Sequence, residues 1–280
     1  MKHVLLTLLS IITICLASCS GTAGLTNSFQ QSKAARQAGE EVQLKVMSYN
    51  VHHCNPPSRP GHIDVDAIVA AIKAEDPDLL ALQEIDVHTN RSGAFNQAAE
   101  IAGKLGMHFY FGKAIDYGGG SYGIALLSRY PMADTVVYRL PTKAETKGEP
   151  RVMATAKVVL PGGTAIRFGN THLDAQKEPV NRMLQMEEIV RISASEKLPF
   201  VLAGDFNCTP DSEEIKLLDT RFTRTCSTCE PTIPVTIPDR AIDYIAFAPG
   251  KKFQVISHQV IPERYASDHL PVVAIIRLKK

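Results

Sequence analysis

The chain has 280 residues, 45% of them hydrophobic and 21% charged, which is the composition of a globular protein rather than a disordered one. Its 30 basic side chains nearly balance 29 acidic ones, and it contains no Trp. It therefore lacks the basic excess that usually accompanies binding to nucleic acid, and small or membrane-borne substrates stay open.

The N-terminus has the pattern of an export signal. Lys2 precedes an apolar run over residues 4–17, which is short for a membrane span but suits a signal peptide. The run ends in Leu-Ala-Ser-Cys, which resembles the bacterial lipobox; a plain secretory signal is the alternative. We predict a signal peptide over residues 1–18 and an acylated Cys19 that opens a flexible tether over residues 19–40. The protein is then expected in the bacterial cell envelope, held at the membrane by its lipid.

Beyond the tether, helical and extended patterns alternate through one domain, residues 41–280. Helices are predicted at residues 65–75, 95–105, 179–194 and 212–218. Strands are predicted at residues 44–50, 79–82, 107–112, 123–128, 135–138, 152–160, 165–171, 200–203, 244–247, 253–260 and 272–277. Because this order is neither purely βαβ nor a meander, we predict an α/β fold, a four-layer sandwich of two packed mixed β-sheets flanked by helices.

Polar side chains recur where these strands begin or end. They are Asn50, Glu84, His172, Asp205, Asn207, Asp243, Asp268 and His269. Strand ends at one sheet edge can project such groups into one crevice. Carboxylate and amide oxygens suit Mg²⁺, and histidine supplies acid–base chemistry near neutral pH. Each motif alone also fits a capped turn or a solvated strand end, so the prediction depends on their order and apolar context together.

In that order the motifs resemble the endonuclease/exonuclease/phosphatase superfamily, over residues 44–277. The resemblance implies a DNase I-like fold and a metal-dependent hydrolase of phosphoester bonds, with Mg²⁺ or alternatively Mn²⁺ as cofactor. It implies that the metal ligands are Asn50, Glu84 and Asp268. It implies catalytic roles for His172, Asp205, Asn207, Asp243 and His269.

Within this resemblance, Asp205 and Asn207 match the motif that aligns the attacking water and the phosphate. Asp243 matches the residue that orients His269, and His172 matches a histidine that contacts the phosphate. Hydrolysis needs a group that accepts a proton from water, and both His269 and Asp205 qualify. The sequence leaves the choice of base open.

Finer similarities point to lipid substrates. The segments 49–53 and 61–64 resemble exported bacterial hydrolases and domains that remodel GPI-anchor lipids. We therefore expect a monomeric phosphodiesterase that acts on phospholipid or glycolipid head groups, or another small phosphorylated substrate, at the membrane. A metal-dependent nuclease and a non-catalytic binding lipoprotein are the alternatives.

Four side chains are predicted to contact the substrate: Arg91, Arg151, His52 and Tyr117. The two arginines can hold a phosphate with paired hydrogen bonds, or form ordinary ion pairs. Tyr117 lies in a glycine-rich stretch, residues 116–120, which we predict to be a mobile loop beside the site.

Two cysteine pairs remain for the exported domain. Cys226 and Cys229 lack the further ligands of a structural zinc site, which favours a disulfide or free thiols. Whether Cys54 and Cys208 are bridged stays open. The surrounding segment, residues 223–238, departs from the family pattern next to the site, which leaves substrate choice undecided there.

Overall fold

The computed structural model describes residues 42–279, which form two six-stranded sheets and four helices. The helices are α1 (Val65–Glu75), α2 (Gln97–Leu105), α3 (Val180–Ser195) and α4 (Glu213–Asp219). The strands are β1 (Val42–Asn50), β2 (Leu79–Val87), β3 (His108–Tyr117), β4 (Gly120–Ser128), β5 (Met132–Arg139), β6 (Val152–Val159), β7 (Ala165–His172), β8 (Phe200–Asp205), β9 (Thr223–Arg224), β10 (Asp243–Ala248), β11 (Phe253–Val260) and β12 (Val272–Leu278). The predicted signal peptide, Cys19 and tether lie outside the described residues. Between residues 42 and 279, no helix combines the length and apolarity that a membrane span requires.

Each sheet has one parallel pair at its centre. The first sheet has the order β11-β12-β1-β2-β4-β3, with β1 parallel to β2. The second has the order β5-β6-β7-β8-β10-β9, with β7 parallel to β8. The strands β1 and β2 pack across the sandwich against β8 and β7. Because parallel neighbours end at the same sheet edge, the carboxyl ends of these four strands meet along one rim.

Three hydrophobic cores separate the four layers of secondary structure, which confirms the predicted four-layer sandwich. Between the sheets, alternate residues of each strand interdigitate, among them Val46 of β1 and Phe168 of β7. The helices α1 and α2 cover the outer face of the first sheet, where Ile68 is fully buried. The helices α3 and α4 cover the second sheet, where Met186 is fully buried. Each such side chain contributes about 1.5–3 kcal/mol to folding.

A polar link joins the two sheets just beneath the rim. The buried Asn170 of β7 donates to the carbonyl oxygens of Leu82 and Ala125, both at 2.8 Å. Its Oδ1 accepts a 2.7 Å hydrogen bond from Gln83 of β2. A buried amide that loses such partners costs about 1–3 kcal/mol. The link therefore favours one alignment of β2 against β7 and fixes where their ends lie.

The hairpin of β3 and β4 corrects one prediction. The predicted mobile loop over residues 116–120 is wrong, because β3 continues to Tyr117 and β4 resumes at Gly120. The turn consists of Gly118 and Gly119, whose φ angles are +52° and +80°. Two consecutive residues with positive φ suit a tight hairpin, and glycine adopts them without strain.

Candidate active site

The rim brings all eight strand-terminal residues into one network. Asn50 and Glu84 come from the first sheet, and His172 and Asp205 end the parallel pair of the second. Asp243 opens β10 directly opposite Asp205. Asn207 and His269 lie in the adjoining loops and contact Asp205 and Asp243, and Asp268 lies beside His269 in the chain, 4.0 Å from His52.

A bulge in β2 aims Glu84 at the rim. Leu82 pairs with Ala125 and Ile85 with Gly123, so two residues of β2 lie opposite one residue of β4. Glu84 takes up the bulge with a φ of +59°, a conformation that costs a non-glycine residue energy. The predicted strand end at residue 82 is therefore wrong; the strand continues through the bulge to Val87.

Asn50 bridges the carboxylates of the two sheets. Its Nδ2 donates to Glu84 Oε1 at 3.1 Å and to Asp205 Oδ2 at 3.0 Å, while its Oδ1 accepts from the backbone N–H of His52 at 3.0 Å. Asn50 is buried, so these three bonds satisfy it. One amide thus holds Glu84 and Asp205 at a fixed separation.

Asp205 is the centre of the second sheet's share of the site. Its Oδ1 accepts from the backbone N–H of Asn207 at 2.9 Å. Its Oδ2 lies 3.5 Å from His172 Nε2 and 3.7 Å from His269 Nε2. Burial, reinforced by the negative charge of Asp243, raises the pKa of Asp205 to about 7. A carboxylate so placed can exchange a proton near neutral pH.

His172 is held as a neutral hydrogen-bond donor. Arg151 Nη1 lies 3.3 Å from His172 Nδ1. A guanidinium can only donate, so Nδ1 accepts and the proton stays on Nε2, which faces Asp205. Burial, with the positive charge of Arg151, lowers the pKa of His172 well below its ordinary value.

His269 is oriented by Asp243. Its Nδ1 donates to Asp243 Oδ2 at 2.9 Å, which turns Nε2 toward Asp205. Although burial opposes the charged form, the nearby Asp243 carboxylate raises the pKa of His269 to about 10.

Thr232 is a site residue that sequence reasoning missed. Its fully buried hydroxyl donates to Asp243 Oδ2 at 2.6 Å, the oxygen that also holds His269. Its backbone oxygen accepts from the N–H of Leu270 at 2.8 Å. Thr232 belongs to the 223–238 segment that departs from the family pattern, and this departure beside the site was the only signal for it.

His52 and His53 lie over the first sheet's share of the site. His53 Nδ1 is 3.7 Å from Glu84 Oε2, and His52 Nδ1 is 4.0 Å from Asp268 Oδ1. Burial alone would raise the pKa of Glu84, but the adjacent His53 imidazole and the hydrogen bond from Asn50 hold it far below the ordinary value. Glu84 is thus kept as an anion.

The donor set at this end of the rim fits a divalent cation. Glu84 is a charged carboxylate whose side chain remains 21% exposed, and a second carboxylate, Asp268, lies 4.0 Å from His52. The ligand atoms of His52, His53 and Glu84 lie within 4.8 Å of one another. Direct ligation by Asn50 or Asp268 stays a prediction, because Asn50 turns its amide nitrogen to both carboxylates.

The other predicted substrate contacts differ in position. Arg151 belongs to the site through His172, and it also pairs with Glu149 at 2.9 Å. Arg91 instead donates twice to the buried Asp86, at 2.7 and 2.9 Å, and stacks over Tyr117 at 4.4 Å from the ring centroid. Substrate roles for Arg91 and Tyr117 therefore stay predictions, as does that of His52.

The cysteines take up two different states. Cys226 and Cys229 form a disulfide in the segment that carries Thr232. Cys54 and Cys208 are buried free thiols, and burial raises the pKa of both above the ordinary thiol value. The open question about the second pair is thus answered: Cys54 and Cys208 are not bridged to each other.

Fold and site together define a hydrolase of phosphoester bonds. The profile of the endonuclease/exonuclease/phosphatase family matches residues 47–269. The chain belongs to this family, which confirms the superfamily resemblance and the assignment as an enzyme. Divalent-metal dependence is typical of the family, and the donor set described above is consistent with it.

Individual relatives agree with this placement. The YbhP protein of Escherichia coli (strain K12) is 25% identical over 254 residues, 85% of this chain and 98% of YbhP. An endonuclease/exonuclease/phosphatase from Beutenbergia cavernae DSM 12333 superposes with a TM-score of 0.73 at 28% identity, covering 84% of this chain and 72% of that one. The mannosyl-6-phosphatase Bt3783 of Bacteroides thetaiotaomicron VPI-5482 has a TM-score of 0.67 at 18% identity, over 83% of this chain and 99% of that one, a likeness of fold alone.

Proposed function

We propose that the protein is an exported, lipid-anchored phosphodiesterase that uses Mg²⁺, or alternatively Mn²⁺, to cleave phospholipid or glycolipid head groups. The observation that carries the proposal is the convergence on Asp205 Oδ2, which Asn50, His172 and His269 approach at 3.0, 3.5 and 3.7 Å. A carboxylate that lies next to two imidazole nitrogens and the amide of Asn50 can position a water for attack on phosphorus.

The chain's own groups divide the work of hydrolysis. Either Asp205 accepts the proton of the attacking water, or His269 Nε2 does so from the fraction of the enzyme in which that imidazole is neutral. His172 Nε2–H donates toward the non-bridging phosphate oxygens. Asn207 fixes Asp205 through its backbone N–H, while its side-chain amide donates to the carbonyl of Leu173 at 3.0 Å. Glu84 would hold a divalent cation on this side of the site, and the cation would supply neutralisation of charge on the phosphate and on the leaving oxygen.

The lipid substrate is supported by the N-terminal sequence and by charge. Acyl chains on Cys19 confine the enzyme to a bilayer surface, which raises its effective concentration toward lipid substrates without new contacts. The formal net charge of +1 supplies little attraction toward nucleic acid.

The test is a panel of phosphoesters assayed with Mg²⁺ and with EDTA. It contains vesicles with sphingomyelin or inositol phospholipids, mannose 6-phosphate, and duplex DNA, each given to the wild type and to a Cys19→Ala variant. We expect the fastest turnover on a lipid, abolished by EDTA and reduced on vesicles by Cys19→Ala but unchanged on detergent-dispersed lipid.

Two outcomes would contradict the lipid substrate. Faster cleavage of DNA than of any lipid, with suppression by salt, would make the protein a nuclease. Turnover of mannose 6-phosphate alone would leave a phosphoester hydrolase that acts on soluble monoesters.

A further inference from the structure

Three consecutive residues after β1 adopt the left-handed conformation. The φ angles of His52, His53 and Cys54 are +45°, +42° and +59°. Each such non-glycine residue costs on the order of 1–3 kcal/mol, and the conformation persists only where the surroundings enforce it. The turn is therefore a built feature rather than a relaxed loop.

The scaffold enforces the turn from behind. Cys54 is fully buried in the core beneath α1 and α2, and its carbonyl accepts from Asp64 N–H at 2.7 Å. The buried Gln97 of α2 donates to the carbonyl of His53 at 2.7 Å. These contacts hold the backbone so that both imidazoles are displayed on the rim side, over Glu84.

Both imidazoles keep a nitrogen free for a ligand. His52 Nδ1 lies 2.9 Å from the carbonyl oxygen of Asn55, so it carries the proton and leaves the lone pair on Nε2. A carbonyl partner of this kind commonly orients a metal-binding histidine. His53 Nδ1 is buried without a hydrogen-bond partner, 3.7 Å from Glu84 Oε2. A buried nitrogen without a hydrogen-bond partner, next to a charged carboxylate, is an arrangement that a cation bound between the two groups would satisfy.

We propose that His52, His53 and Glu84 together bind a divalent cation through mixed nitrogen and oxygen ligands. This inference rests on the proposed function in one respect: both proposals use Glu84 as a ligand of the cation. The three ligand atoms lie within 4.8 Å of one another. Ligands of one ion with bonds of about 2.1 Å lie about 3.0–4.2 Å apart, so side-chain rotations must draw the three atoms closer when the ion binds.

The donor set determines which ion the site prefers. Imidazole nitrogen suits first-row transition ions, whereas Mg²⁺ selects oxygen ligands and keeps its waters. The site therefore prefers Co²⁺, Mn²⁺ or Zn²⁺ to Mg²⁺. A site of oxygen ligands alone, with His53 serving only as a hydrogen-bond donor to Glu84, is the competing arrangement.

Binding of Co²⁺ and of Mg²⁺, measured separately by calorimetry on the purified full chain, tests the proposal. Pulsed electron paramagnetic resonance of added Mn²⁺ reports nitrogen ligands directly. His53→Asn and His52→Asn remove one imidazole each while keeping a side chain that tolerates positive φ. His88→Asn is the matched control, because His88 is an exposed histidine with a φ of +56°.

We expect the wild type to bind Co²⁺ at least about tenfold more tightly than Mg²⁺ and to show nitrogen couplings. His53→Asn and His52→Asn should each weaken Co²⁺ binding about 10–100-fold, change Mg²⁺ binding little, and diminish the couplings; His88→Asn should resemble the wild type. Absent nitrogen couplings, no Co²⁺ binding, or imidazole variants that bind Co²⁺ like the wild type would overturn the proposal. Failure of the proposed function shows itself separately, as intact cation binding without hydrolysis of any ester.

Discussion

The two halves of the site differ in how tightly the protein encloses them. The closed half comprises His172, Asp205, Thr232, Asp243 and His269, all of them at most 5% exposed. The open half comprises Asn50, His52, His53, Glu84 and Asp268. Apart from the buried Asn50, its side chains are 13–36% exposed. Groups that move protons must be fixed and dry, whereas groups that receive an ion or a substrate must stay accessible.

Backbone strain follows the same division. His52, His53 and Glu84 of the open half all have positive φ, whereas His172, Asp205 and Asp243 of the closed half continue regular strands. Beside the closed half, Asn207 alone among the predicted site residues has a positive φ, of +51°. Strain is thus concentrated where we place the ligand. The closed half derives its rigidity from hydrogen bonds to strand ends.

The largest effect is expected from Glu84→Gln in the open half. Losing the one charged ligand that both proposals share removes several kcal/mol of charge stabilisation, so kcat should fall about 10³-fold or more. Circular dichroism and the melting temperature should match the wild type, because Glu84 is at the open rim. Full turnover by this variant in EDTA would show that no cation takes part.

The next largest effect is expected from the groups around Asp205 in the closed half. Asp205→Asn and His269→Ala should each lower kcat about 10²-fold or more, with KM nearly unchanged, because proton transfer contributes about 10²–10⁴-fold. The more damaging variant identifies the base that accepts the proton from water. If both variants kept near wild-type rates, the assignment of proton transfer to the closed half would be wrong.

A smaller effect is expected from Thr232→Val, which keeps the shape of the side chain and deletes the hydroxyl that holds Asp243. We expect kcat to fall about tenfold, which corresponds to the 1.5 kcal/mol typical of a hydrogen bond to a charged group. Thr232→Ser should restore most of the rate, and the pH profile should shift in Thr232→Val only. A loss of melting temperature without these kinetic changes would make Thr232 merely structural.

The smallest catalytic effect is expected from Arg91→Ala, outside both halves. Asp86 is fully buried and loses a cationic hydrogen-bond donor, so we expect a loss of about 2 kcal/mol in the free energy of unfolding, with kcat within about threefold. Burial raises the pKa of Asp86, but Arg91, Ser92 and Thr89 together hold it below the ordinary 3.8. A carboxyl group whose pKa is depressed in the folded state stabilises the fold at pH values above its pKa in the unfolded chain. The difference in free energy of unfolding between the variant and the wild type should therefore shrink below about pH 4. A large rise in KM would instead support the predicted substrate contact.

The sequence predicted the closed half better than the open half. Strand periodicity located β7, β8 and β10, and polar residues at their ends, such as His172 and Asp205, had to meet once the parallel pair formed. Thr232 escaped because it acts from an irregular segment, 11 residues before Asp243, and no periodicity encodes that contact.

The open half depends on local backbone conformations that periodicity does not report. The bulge at Glu84 and the left-handed turn at His52 and His53 are held by long-range contacts, including Gln97 from α2. The hairpin at Gly118 and Gly119 was mistaken for a loop because glycine-rich segments are compatible with both.

The division of the site is tested most directly by measuring cation affinity and kcat on the same two variants. We predict that Glu84→Gln loses cation binding and turnover together. His269→Ala should keep its cation affinity within about threefold of the wild type while its kcat falls about 10²-fold. If His269→Ala lost cation binding as completely as Glu84→Gln, the two halves would be a single metal site, and the separation of cation binding from proton transfer would be wrong.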